Sequence, residues 1–176
     1  MPFTPFHMGP GLAIKAVAGR HFSVLTFGIA QVAMDIEPVV GMIRGSEVLH
    51  GPTHTYLAAC VIALFVAAFA PLICRPILHR WNQELTFLRL DWLASPESWS
   101  TIPVMTGAFI GTLSHVALDS IMHSDITPLA PFSNANGLLD VISTGALHQW
   151  CIGTGVSGIL VWLAIGWRTR RPRREG

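Results

Sequence analysis

Ser114-His115-Val116-Ala117-Leu118-Asp119-Ser120-Ile121-Met122-His123 decides how this chain is read. The stretch places an imidazole, a carboxylate and a second imidazole at spacings of four, inside an apolar segment that begins near Thr101. On a helix those spacings bring His115, Asp119 and His123 onto one face. Such groups are costly inside hydrocarbon unless something pairs with them. The expected partner is a metal ion, held with help from Asp35, Glu37, His50 and His54 near the ends of two other apolar segments.

Composition supports a membrane setting. Charged residues make up 12% of the 176-residue chain, against roughly 25% in an ordinary soluble protein. The hydrophobic fraction is 51% and the mean hydropathy is +0.52. A soluble chain of this length could hardly cover its surface with so little charge. The expected fold is therefore all-α, a polytopic membrane bundle of four long apolar helices with short N-terminal and interfacial helices. It is expected to form a single integral membrane domain over residues 1–176. Cys60, Cys74 and Cys151 lack CxxC spacing and are odd in number, so they read as inert buried thiols. Residues 1–10 contain no basic n-region, so insertion is expected to depend on internal segments.

The segments have different qualities. Residues 22–43 read as one crossing with Asp35 and Glu37 at its outer end; two short helices over 9–19 and 22–35 are the alternative. Residues 55–73 form the cleanest span, ending at Pro71 and Arg75-Pro76, with His54 at its start. Residues 75–99 interleave charges with Trp81, Phe87, Trp92 and Trp99, as an interfacial or cytoplasmic connection would. In the third span, Gly107 and Gly111 form a small-xxx-small pattern that admits a close helix. Residues 124–142 are an irregular connection, and a fourth span covers about 146–167. Five arginines then fall within residues 168–174. Such a tail belongs on the cytoplasmic side, and beside a spanning helix it marks orientation rather than nucleic-acid binding. Counting back puts the basic residues of 75–89, Lys15 and Arg20 on that same side. Asp35, Glu37, His54, His115, Asp119 and His123 then all fall near the opposite, outer face.

Imidazole with carboxylate and no thiolate suits zinc, iron or manganese. His50 and His54 are separated by Pro52, so a turn running into the helix is expected to present them. The donors exceed what one tetrahedral ion needs, so two or three ions are expected. Asp35 or Asp119 could bridge a pair of ions, which together activate a hydroxide and steady a phosphoryl leaving group. Glu37 is the candidate general base. Arg44 and Asn134 are candidates for contacting a phosphate.

Several of these motifs, in this order, resemble the membrane-bound metal-dependent hydrolase family, itself distantly similar to zinc-dependent phospholipase C and the P1-type nucleases. The matching residues are His7-Met8-Gly9, the acidic pair Asp35-Ile36-Glu37, His50-Gly51-Pro52-Thr53-His54-Thr55, Ser114-His115 through Asp119, and Pro128-Leu129-Ala130-Pro131-Phe132. The acidic pair lacks the family's preceding Pro. The 50–55 motif lacks its Arg and has its histidines one residue closer. The resemblance implies phosphoester hydrolysis by two or three metal ions on a helical scaffold, with a lipid phosphate or phospholipid as a candidate substrate. It also adds His7 to the ligands, although counting back over four crossings puts His7 on the wrong side. Two other classes would use the same ligands: a divalent-metal transporter or sensor, and a membrane protein whose metal only holds helices together. Transport needs a polar route across the bilayer, which 55–73 and 146–167 scarcely provide. Membrane lipids are the expected partners, nucleic acid is not, and association of copies stays open.

Overall fold

The computed structural model describes residues 5–95 and 100–170. Five helices follow one another: α1 (Met8–Ala18), α2 (Val24–Arg44), α3 (Tyr56–Phe87), α4 (Thr101–Met122) and α5 (Thr144–Arg170). No strand occurs among the described residues. Helices α2, α3, α4 and α5 are each long and apolar enough to cross a membrane. The chain is thus the all-α, multi-pass bundle that its composition calls for.

Local chemistry sets the helix ends. The Ser23 hydroxyl accepts from the Thr26 N–H at 3.2 Å at the start of α2, and Thr55 accepts from Ala58 N–H at 3.1 Å before α3. Each satisfies a donor that the first turn would otherwise leave free. Gly45 closes α2 in the left-handed region, at φ 69°.

Helices α2 and α4 run parallel and very close. A methyl at Gly107 would come within 2.5 Å of the Ser23 carbonyl oxygen, and one at Gly111 within 2.6 Å of the Ala30 Cβ. Only glycine permits that approach, as the spacing of 107 and 111 predicts. Helix α3 runs antiparallel against both, packing Ala59, Ala63, Val66, Ala70 and Cys74 toward Ala30, Met34, Ala108 and Val116. Helix α5 packs mainly on α1.

Two expectations need correction. The short N-terminal helix expected from the sequence is there, over nearly the residues 9–19 of the two-helix alternative, but the helix after it does not end at residue 35. A separate helix, α1, precedes a single long crossing, and His7 at its start lies at the same end of the bundle as Asp119. Helix α1 then descends to Gly19, and the next residues meet the start of α4, where Thr106 donates to the His21 carbonyl at 2.6 Å. Counting back over four crossings put His7 on the wrong side because an 11-residue helix, too short to span ~30 Å of hydrocarbon, adds a part-crossing that the count leaves out.

The second correction concerns α3, which does not stop at Pro71 or at Arg75-Pro76. It continues for 32 residues to Phe87, about 48 Å at the helical rise. Proline removes one ladder donor, but an apolar setting offers the backbone no better partner than the continuing helix. Arg75, Arg80 and Glu84 therefore ride on the same helix as the span. Past its end Asn82 brackets Ser95, donating to its carbonyl at 2.8 Å and accepting from its N–H at 3.1 Å. The Trp92 ring lies against Gly166 of α5. Glu97, Trp99 and the arginines from 171 onward lie outside the described residues.

The irregular stretch after α4 folds over the other end of the bundle. Tyr56 N–H donates to the Pro128 carbonyl at 2.9 Å, and the Asn136 amide donates to the Ser120 carbonyl at 2.8 Å.

Candidate metal centre

Four elements deliver polar side chains to one buried point. The 3-10 turn Pro5–His7 brings His7, α2 brings Asp35, the turn Pro52–His54 brings His54, and α4 brings His115 and Asp119. His50 arrives from the irregular connection that leads into that second turn. All six residues are buried. As the intervening proline requires, His50 and His54 are presented by a turn that runs into α3 rather than by a helix.

The distances converge on Asp119. Its Oδ1 lies 3.5 Å from His7 Nε2, and its Oδ2 lies 3.1 Å from His115 Nε2, 3.7 Å from His54 Nε2 and 4.0 Å from His50 Nε2. His115 Nε2 is also 3.5 Å from Asp35 Oδ1. Neighbouring ligands of a tetrahedral ion with ~2.0–2.1 Å bonds stand about 3.4 Å apart, so these separations are those of atoms around a cation. They are also atoms without other work. Nε2 of His7, His50, His54 and His115, together with Asp35 Oδ1, are buried and make no hydrogen bond. Orphaned buried polar atoms are rare and costly; five aimed at one point suit the holding of a cation.

The tautomer of His115 sharpens this. The Gly111 carbonyl can only accept, so the Gln31 amide nitrogen must face it, at 3.1 Å. That leaves Gln31 Oε1 facing His115 Nδ1 at 2.6 Å, so Nδ1 carries the proton and donates. In the neutral ring Nε2 is then a bare lone pair facing the Asp119 carboxylate at 3.1 Å. Two lone pairs meet there, and a cation between them would remove the repulsion.

His50 has its own orienting group. Its Nδ1 lies 2.9 Å from Asp125 Oδ1, while Asp125 Oδ2 accepts from the Leu49 and His50 backbone N–H groups, each at 3.1 Å. Partial burial works against the Asp125 charge, but these donors outweigh it and hold the carboxyl below its usual range. A carboxylate behind an imidazole turns the other ring nitrogen toward a metal. Burial pushes His7 down to about 4, although the Asp119 carboxylate pulls the other way. Burial lowers His54 as well. Both rings are therefore neutral near pH 7, the state in which imidazole binds metal.

The residues sort into three groups that could each hold an ion: His7, His115 and Asp119; His50, His54 and Asp119; His50, His123 and Asp125. The first two share Asp119. The third is half-buried at the rim, where the His123 and His50 ring centres are 4.2 Å apart. Asp35 joins the buried cluster through His115.

Glu37, Arg44 and Asn134 stand elsewhere. Glu37 is behind His54, with Oε2 3.6 Å from Nδ1 and held by the Thr53 N–H at 3.1 Å and by the Thr53 hydroxyl. That position orients His54 rather than facing the shared Asp119. Arg44 is exposed at the end of α2, on the wall of an outward-facing groove, and Asn134 is exposed on the loop after α4.

Gln31 and Asp125 were not picked out from the sequence. Gln31 carried a readable signal: it sits one turn before Asp35 on the same helix face, the spacing that singled out His115 and Asp119. Asp125 carried none, since its role depends on a loop folding back onto residues 49 and 50.

The fold and the site together define a polytopic helical membrane protein with buried His/Asp clusters suited to metal binding. No family model, curated protein or solved structure matches this chain.

Proposed function

We propose that this chain is a metal-dependent hydrolase of phosphoesters, working at the outer membrane–water interface of a cell inner membrane with its C-terminus cytoplasmic. The observation that carries the reading is the set of five buried, unpartnered ligand atoms gathered around Asp119. His7, Asp35, His54, His115 and Asp119, with His50, would hold two ions, and Asp119 would be shared between them. Zinc suits the nitrogen-rich donor set best; manganese and iron use the same ligand types. When bound, a pair of such ions makes a water acidic at neutral pH and steadies charge on a leaving phosphoryl oxygen.

The chain's own residues supply orientation and exclusion of water. Gln31 fixes the His115 tautomer, Asp125 aims His50, and Glu37 with Thr53 aims His54. The apolar packing of Met34, Ala59 and Val116 shuts the membrane side of the cluster. His123 stands half-buried at the rim of the cluster. The resemblance of the His and Asp motifs to the membrane-bound metal-dependent hydrolases supports this reading over a carrier. A carrier also needs a series of ligands deeper in the bundle, and the core beneath the cluster is Ala30, Ala63, Val66, Ala70 and Ala108, with the single thiol of Cys74.

Elemental analysis of the purified protein tests the metal, and release of phosphate or phosphomonoester from lipid and soluble esters tests the reaction. About two transition-metal ions per chain are expected, with clear loss in His115→Ala and Asp119→Ala. Unchanged stoichiometry in both variants would remove the ligand assignments. Full metal content with no cleavage of any phosphoester would leave a metal-stabilised scaffold.

A further inference from the structure

Pro128-Leu129-Ala130-Pro131-Phe132 is a motif of the sequence that the metal centre does not use. The turn it forms is tightly held. Ala130 N–H donates to the Thr127 carbonyl at 3.1 Å, and the Leu129 carbonyl accepts from Phe132 N–H at 3.0 Å and from Ser133 N–H at 3.2 Å. The two prolines have no N–H to satisfy. Ile126 and Pro128 are buried, yet Leu129 is 50% and Phe132 87% exposed. No Asp, Glu, Lys or Arg occurs from Ile126 to Leu139. A turn without charge, with most of its N–H groups absent or bonded and two large apolar side chains uncovered, suits an apolar medium better than water.

The depth of this turn follows from α3. Tyr56 to Cys74 is an unbroken run without a charge, closed by Arg75. At the helical rise the run is about 28 Å long, against ~30 Å of hydrocarbon. It has little room to slide, so Tyr56 stands at the hydrocarbon edge. Tyr56 N–H donates to the Pro128 carbonyl at 2.9 Å, which fastens the turn at that level. Leu57, Val61, Leu64 and Phe65 are exposed along α3 from there, and the bilayer that covers them reaches the place where the turn is tied.

We infer that this turn is a membrane foot, with Leu129 and Phe132 set into the leaflet at the cluster end beside the start of α3. Its partner is the bilayer surface, where apolar side chains bury themselves at the boundary of headgroups and acyl chains. The metal ligands share that level, because His54 ends its turn two residues before Tyr56. A lipid keeps its phosphate at this depth, whereas a soluble ester must leave water to reach it. The substrate is therefore a phosphoester carried by a membrane lipid; this last step rests on the hydrolase reading, and the foot does not.

Nitroxide labels at Leu129→Cys and Phe132→Cys test the foot. The full chain, with Cys60, Cys74 and Cys151 replaced by alanine, is reconstituted in dioleoyl phosphatidylcholine vesicles, and collisions with oxygen and with a nickel chelate are compared. Oxygen should dominate at 129 and 132, as at Leu64→Cys within the span, and the nickel chelate at Asn134→Cys. Nickel dominating at 129 and 132 would overturn the foot, and so would low collision with both reagents, the mark of a protein contact. The unsubstituted chain supplies a second measurement. A photoactivated carbene probe dissolved in the bilayer should mark the 127–133 turn, and marking of α3 without the turn would also overturn the foot. For the substrate, dioleoyl phosphatidic acid or phosphatidylglycerol in the same vesicles should be cleaved while glycerol 3-phosphate and glycerophosphoglycerol stay intact. Equal cleavage of the soluble esters would overturn the lipid substrate. Labels in the leaflet with no cleavage at all would sink the hydrolase reading and leave the foot; lipid cleavage with labels in water would sink the foot alone.

Discussion

Gln31 has one polar function in a helix that is otherwise apolar at its depth: it turns the His115 ring. Replacing it with Met keeps an unbranched side chain of similar length but removes the acceptor at 2.6 Å from His115 Nδ1. Second-shell losses of this kind lower metal affinity 10–100-fold, roughly, and Gln31→Met should do so in a chelator-competition titration. Ser114→Ala, which removes a 3.5 Å contact to the Gln31 amide and a 3.2 Å bond to the Gly111 carbonyl but leaves the His115 acceptor in place, should change affinity little. Equal effects in the two variants would show that the amide does not set the tautomer. The buried donors were legible at this scale because hydrocarbon makes unpaired polar groups expensive, so His115, Asp119, Asp35 and His54 stood out by residue type alone. Glu37 stood out in the same way, yet its place behind His54 depends on how the 50–55 turn sits against α2. Spacing along one helix carries no information about that.

Contacts between helices depend on what is missing from them. Gly107 and Gly111 let α2 and α4 meet backbone to backbone, which sets Gln31 and Asp35 against His115. Gly107→Val or Gly111→Val would drive a side chain into the Ser23 carbonyl or the Ala30 methyl. Overpacking of this kind costs about 1–3 kcal/mol, so both variants should melt earlier in a detergent thermal-shift assay. Gly153→Val on α5 meets nothing within 4 Å and should leave the melting temperature where it was. Gly158 offers a more specific test, because a methyl there would come within 2.5 Å of the α1 backbone at Leu12 and Ala13. Gly158→Val should push α1 outward and draw His7 away from Asp119, lowering metal content without touching a ligand. The Gly107/Gly111 pattern was readable because both helices were visible as spans. The partner of Gly158 was not, since the short N-terminal helix was legible only as an element, and nothing in its composition says which span it lies against.

Across the whole molecule, the centre and most of the basic residues occupy opposite ends, with Arg44 the exception at the cluster end. The His/Asp cluster joins the N-terminal turn, α2, the start of α3 and the end of α4, so bound ions would tie four elements together. A ligand that binds only the folded state stabilises it by mass action. Chelation should therefore lower the melting temperature of the parent and have little effect on Asp119→Ala, which has already lost the shared ligand. At the other end lie Arg20, the charged half of α3 and Arg168 after the last span. Those cations favour the cytoplasmic side, which would put the cluster on the outer face. Cysteine labelling tests this directly, once Cys60, Cys74 and Cys151 are replaced by alanine. Asn134→Cys lies on the exposed loop at the cluster end, and Gln83→Cys lies on the exposed face of α3 at the basic end. A membrane-impermeant maleimide applied to spheroplasts should label position 134 at once and position 83 only after permeabilisation. The reverse pattern would place the cluster in the cytoplasm, against the arginines. The positive-inside argument would then have to yield to some stronger determinant of insertion.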